Sequence, residues 1–302
     1  MAHRGQGQGR LEHEITVRSA SFGLLVVSAL AVFWVPLTAL VKFSFRQEHY
    51  SHIILIPLIS TTLVILKRRG IFAQAEPNRL IGSALLAAGV LLYVFGRRTF
   101  GPLGENDQLS AVIFAFVVIL VGSFVLCYGR LAARSALFPL LFLFLMVPIP
   151  DFVLDRAIVW LQTGSADVSE AIFELIGVPV FRAGFVFSLP RVTVEVAKEC
   201  SGIRSSLALL ITSFLAGHFM LQSAWAKATL TLATLPLLVV KNGIRIVTLS
   251  LLSSHDPRFL TGSLHSQGGV IFFILGLALL AAVLLLLQKA ERNGRTDASL
   301  HA

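Results

Sequence analysis

The chain has 302 residues, of which 56% are apolar and only 14% charged, where a soluble globular protein carries roughly 25% charged residues. A mean hydropathy of +0.82 leaves too little polar side chain to cover a soluble surface of this size, so composition excludes a soluble fold. The net charge of +9 would suggest a nucleic-acid partner on a soluble chain, but here the basic residues gather in short loops and tails, where they act as orientation signals, and no nucleic acid is expected.

Residues 1–20 read as a polar tail, Gly/Gln-rich at its start and disordered or surface-lying. No cleavage pattern of small residues follows the first apolar run, so that run reads as a spanning helix rather than a signal peptide. The predicted spans cover 21–41, Ser51 to Lys67, 80–95, 109–128, 135–150, 203–222, 228–252 and 268–288. That makes an all-α polytopic membrane protein of about eight transmembrane helices, with the second and fifth marginal in length. Residues 21–288 form one transmembrane domain, and 289–302 a basic tail.

The loop charges set the expected orientation. With the N-terminus inside, Lys67, Arg68, Arg69, Arg79, Arg130, Arg134, Lys227 and the Lys289–Arg295 tail are all cytoplasmic. Lys42 and Arg46 with Glu48, and Arg97 and Arg98 with Glu105 and Asp107, fall outside, and the Arg97-Arg98 pair makes the bias imperfect. Both termini are therefore expected in the cytoplasm.

The segment 151–202 is the least membrane-like stretch and is expected at the outer face. Its part at 153–176 has apolar residues at helical spacing with Asp155, Arg156, Asp167, Glu170 and Glu174 between them, which suits an interfacial or bundle-packed helix. Phe185–Leu189 and Val192–Val196 flank Pro190-Arg191 and read as a small β-hairpin.

Titratable residues at membrane depth are costly and call for an explanation. Cys200, in Glu199-Cys200-Ser201-Gly202-Ile203-Arg204, opens the sixth span at the outer face. Arg245, in Asn242-Gly243-Ile244-Arg245, lies about 17 residues into the seventh, roughly 26 Å from its inner start. His265 precedes the eighth span as the chain re-enters from outside. All three are expected at one membrane face.

A helix N-terminus lowers a thiol pKa toward the nucleophilic thiolate, and Arg204 lies one turn on. Taken alone, the plainer reading of Cys200 is still a small buried residue at a helix cap, with a nucleophile as the sharper alternative. Arg245 reads either as a side chain snorkelling to headgroups or as a cation for a thiolate, oxyanion or carboxylate. Lys241 and Asn242 add polar character to the same stretch. His265 fits a general acid or base, or an ordinary loop histidine. Cys127 reads as a packed core residue. His49, His52 and His265 show no metal-ligand spacing, the pair Asp151 and Asp155 is a weak aspartyl candidate, and no nucleotide-binding loop is present, so neither metal nor cofactor is expected.

Four pieces together carry a family resemblance: Tyr50-Ser51-His52 opening the second span, Val194-Glu195-Val196 leading into Glu199-Cys200-Ser201-Gly202-Ile203-Arg204, Asn242-Gly243-Ile244-Arg245, and Leu264-His265 with Gly268-Gly269. Over about 45–288 the chain resembles the exosortases, membrane transpeptidases of the exosortase/archaeosortase family. The resemblance implies a catalytic trio at Cys200, Arg245 and His265, with Arg204, Glu199, Asn242 and His52 as supporting candidates. It further implies a thiol protease or transpeptidase in the bacterial inner membrane, with its active site facing the periplasm. Its substrates would be exported proteins ending in a short motif (often Pro-Glu-Pro), a transmembrane helix and a basic cluster, commonly tied to extracellular polysaccharide. They would be passed to an unknown acyl acceptor. The alternative from a different class is a polysaccharide-export or anionic-substrate transporter, with Arg245 and Lys241 binding the anion.

Overall fold

The computed structural model describes residues 3–73, 75–99, 104–196, 198, 202–255 and 269–300. They fall into two compact units, Met1–Asp151 and Phe152–Ala302. Among the described residues, five helices are long and apolar enough to cross a membrane, or up to seven if each of two bent pairs is one span. The chain is therefore a multi-pass helical membrane protein.

In the first unit, α1 (His3–Val32) already begins within the polar tail. It gives way to α2 (Trp34–Arg46) across a bend of 68°. The predicted span 21–41 is thus broken in its middle. Pro36 is the cause: its ring would meet the carbonyl four residues back, at Val32, where α1 stops. The same device recurs twice. Pro57 is the third residue of α3 (Leu55–Leu66), which follows a 3₁₀ turn at Glu48–Tyr50. Pro139 is the third residue of α7 (Leu137–Phe142).

These prolines correct the expected count of about eight. The second run yields a helix of only 12 residues, about 18 Å long, well short of a bilayer core. The fifth run breaks into α7 and a 3₁₀ turn, Leu143–Met146, before Pro148 and Pro150. Hydropathy counts apolar residues but does not register the prolines that divide them.

The short α4 (Arg68–Phe72) leads toward α5 (Arg79–Thr99), which packs along α6 (Glu105–Ser135). Gly82, Gly89 and Gly96 recur every seven residues and are the buried positions of α5. A methyl on Gly82 would lie 2.4 Å from the Cα of Leu126, so this seam brings the two backbones together. Near its end α6 is kinked at Gly129 (φ 83°, ψ −178°), a conformation effectively restricted to glycine. The chain at Glu76 and Pro77 lies against that kink. Cys127 is buried beside it with Ile71, Phe124 and Tyr128, as a free thiol in a packed core. Arg97, the exception to the charge pattern, donates to the Tyr93 hydroxyl at 3.2 Å.

The second unit is built on α8 (Asp151–Leu175). Leu154, Ile158, Leu161, Gln162, Ser165, Ala166, Ser169 and Phe173 form its buried stripe, so the mixed segment 153–176 folds as a bundle-packed helix. Strands β1 (Phe181–Ala183), β2 (Val186–Ser188) and β3 (Thr193–Glu195) form an antiparallel sheet in the order 1-2-3. In the register Arg182 faces Phe187, and Phe187 faces Val194. The expected hairpin around Pro190-Arg191 is β2–β3, and β1 is an addition that the sequence reading missed. Helices α9 (Ile203–Met220), α10 (Ala224–His255) and α11 (Gly269–Leu300) pack on one another, with Leu209, Leu230, Leu238, Leu280 and Leu284 in their shared core. Glu291 accepts from the backbone N–H groups of Gln222 and Ser223, which fastens the α9–α10 turn to α11.

Candidate functional site around Gly202 and Asn242

The geometry is legible from the start of α9. Gly202 sits just before that helix with φ 74°, in the left-handed region that favours glycine. Its carbonyl accepts from the Ser206 N–H at 2.9 Å and from the Ser205 hydroxyl at 3.0 Å. The entry to α9 is therefore fixed by backbone geometry, with no side-chain cap on Gly202.

Helix α10 supplies the opposite wall. Asn242 is fully buried, and a methyl on Gly202 would lie 2.8 Å from its Oδ1. The Asn242 Nδ2 donates to the Ser165 hydroxyl of α8 at 3.0 Å. Next to it, Gly243 lets α8 close on α10: a methyl there would meet Val168 at 2.6 Å. Lys241, only 1% exposed, donates to the Ser205 hydroxyl at 2.5 Å. Its aliphatic stem lies beside Gly276 of α11. Arg245 follows one turn later and is half-buried. Arg204 is exposed.

The chain entering the site is held as firmly as the chain leaving it. Val196 is buried, its N–H donating to Phe185 at 2.9 Å and its carbonyl accepting from Gln162 Nε2 at 2.7 Å. The sheet is tied to α8 by Arg182, which pairs with Asp167 at 2.8 Å and Glu170 at 2.7 Å and lies over the Phe187 ring. Burial by itself would lower the Arg182 pKa, but the two carboxylates outweigh it and raise it.

The structure thus brings together the two predicted motifs, through Gly202 on one side and Asn242 on the other. Glu199, Cys200 and His265 lie outside the described residues. His52 belongs to the first unit, where its ring meets the carbonyls of His49 and Leu145. Burial lowers its pKa. Beside it, Tyr50 is buried and donates to the Ile149 carbonyl at 3.0 Å, so Tyr50 braces the turn at Pro148–Pro150. Asn106 strengthens the same turn, donating to Ile149 and to Asp151, each at 2.7 Å. Among the described residues no group of three metal-ligating side chains is found.

Sequence reasoning missed Gln162, Ser165 and Ser205. The first two left a readable signal, being polar residues three apart on the apolar stripe of α8.

Over residues 34–282 the sequence matches the family model described as Transmembrane exosortase (Exosortase_EpsH). Neither a curated protein nor a solved structure matches the chain. The family match spans most of the sequence, including both motifs that meet at Gly202 and Asn242. The chain belongs to the transmembrane exosortase family, and it is a membrane cysteine transpeptidase acting on C-terminal sorting signals.

Proposed function

We propose that Cys200 is the nucleophile, Arg245 its electrostatic partner and His265 the general acid and base. The observation that carries this reading is the contact of Gly202 with Asn242, which joins the cysteine motif to the arginine motif in one buried polar cluster. Cys200 precedes Gly202 by two residues in the chain, and Arg245 follows Asn242 by three.

The thiolate of Cys200 attacks the scissile carbonyl carbon, forming a carbon–sulfur bond. The guanidinium of Arg245 stabilises the oxygen that gains the negative charge. As the carbon–nitrogen bond breaks, His265 gives its proton to the leaving amine, and a thioester remains on Cys200. His265 then takes a proton from an incoming amine or hydroxyl, which attacks the thioester carbon; the carbon–sulfur bond breaks and the Cys200 thiolate and protonated His265 are restored. Glu199, Arg204 and Asn242 shape and tune the site. The substrates are exported proteins whose C-terminal motif is followed by a transmembrane helix and a basic cluster. The positive-inside bias of the loops supports cytoplasmic termini and an active site at the periplasmic face of a bacterial inner membrane.

The test is processing in cells of a tagged substrate carrying that tripartite signal, comparing the unaltered enzyme with Cys200→Ser and Cys200→Ala. Loss of cleavage in both variants at equal membrane levels is expected. Undiminished cleavage in either sinks the covalent mechanism.

A further inference from the structure

Two buried polar side chains, Gln162 and Lys241, have no place in the trio of cysteine, arginine and histidine, and each needs an explanation. An amide and an ammonium inside a membrane protein are costly unless they are paired. Gln162 is 4% exposed and Lys241 is 1% exposed, so neither snorkels to a surface. Each spends a hydrogen bond on one flank of the cysteine segment. Gln162 holds the carbonyl of Val196, four residues before Cys200. Lys241 holds the hydroxyl of Ser205, which in turn donates to the carbonyl of Gly202, two residues after Cys200.

From this geometry we infer that Gln162 and Lys241 are positioning residues that clamp the two flanks of the cysteine segment and set its alignment with Arg245. Helix α8 is the common support, because Gln162 and Ser165 lie three residues apart on its buried stripe and Ser165 accepts from Asn242. The arrangement also separates two roles. Gln162 is neutral and acts on geometry alone. Lys241 adds a second cation one turn from Arg245, on a helix with no carboxylate of its own. Helix α9 carries no carboxylate either, and α11 carries none before Glu291. On α8, Asp167 and Glu170 are engaged by Arg182, Asp155 by Lys198 and Asp151 by Asn106, and Glu174 lies in the last turn.

This inference rests on Cys200 as the reacting thiol, and its test must be able to fail by itself. The full chain, with Cys127→Ala as background, is compared in membranes with Gln162→Leu, Ser205→Ala and Lys241→Met. Two quantities are measured for each: processing of the tagged substrate per molecule of enzyme, and the rate of Cys200 alkylation by a maleimide across pH. Ser205→Ala breaks the link from Lys241 to Gly202, and the membrane abundance of each variant separates simple misfolding from misalignment.

Gln162→Leu and Ser205→Ala are expected to lower processing at least tenfold per molecule, because small misplacements of reacting groups cost about that much or more. Lys241→Met is expected to move the alkylation profile to higher pH, because losing a nearby cation disfavours the thiolate. Lys241→Arg should restore the profile. If all variants process and alkylate like the background chain, or if only their membrane abundance falls, the two residues are merely structural and the inference is overturned. If Cys200→Ala still processes substrate, the mechanism itself fails instead.

Discussion

Gly202 and Asn242 meet so closely that a single methyl group on the glycine would stand 2.8 Å from the Asn242 side-chain oxygen. The two residues are 40 positions apart and belong to different motifs, yet neither has room for a larger neighbour. This contact places the helix that follows the cysteine against the helix that carries Arg245.

Gly202→Ala is expected to lower stability by about 1–2 kcal/mol from the left-handed backbone alone, with a further loss from displacing Asn242. Thermal unfolding in detergent checks this. Combining it with Asn242→Ala should destabilise by less than the sum of the two single changes, since the second removes what the first collides with. Strict additivity would mean that the contact does not couple the motifs.

The kink at Gly129 makes a harsher prediction for the first unit. A methyl there would fall 1.5 Å from the Glu76 carbonyl oxygen, and the backbone at φ 83° is itself unsuitable for alanine. Gly129→Ala should reduce the amount of folded protein in the membrane far more than Gly70→Ala, where nothing lies within 4 Å of the new methyl. Equal yields of the two variants would contradict the close crossing at the kink.

Arg182 ties the sheet to α8 through two carboxylates, and its side chain is 17% exposed. Arg182→Met should cost about 1.5–3 kcal/mol, the range for a hydrogen bond to a charged group. Lysine at this position should restore only part of it, because it lacks the fork that reaches both acids. A lysine variant with the full unfolding midpoint would show that charge alone suffices.

The lowered pKa values of His49 and His52 give a pH dependence of known sign. Burial disfavours the charged form of both rings in the folded protein, whereas the unfolded chain takes up protons near the reference value of 6.5. The unfolded state therefore binds more protons as pH falls, and the stability present above about pH 6.5 is lost progressively below it. The unfolding midpoint should drop between about pH 7.5 and pH 5.5, and the double variant His49→Gln, His52→Gln should drop less. An identical drop would assign the effect to other groups.

The sequence by itself determined the membrane class, the five long helices and the β2–β3 hairpin, because each of these depends on local composition, periodicity or turn chemistry. The mixed character of 153–176 was equally legible as one-sided packing, since its apolar residues keep helical spacing. Tertiary structure decided how the apolar runs divide. Pro36 and Pro139 interrupt two of them, and Pro57 opens a helix too short to cross, through clashes with carbonyls one turn back that hydropathy does not register. It also decided that His52 faces the carbonyls of His49 and of Leu145 in the 3₁₀ turn Leu143–Met146. Only the fold could reveal Gln162 and Lys241 as partners of Val196 and Ser205, because a hydrogen bond between residues 34 or 36 positions apart leaves no periodic trace in the chain.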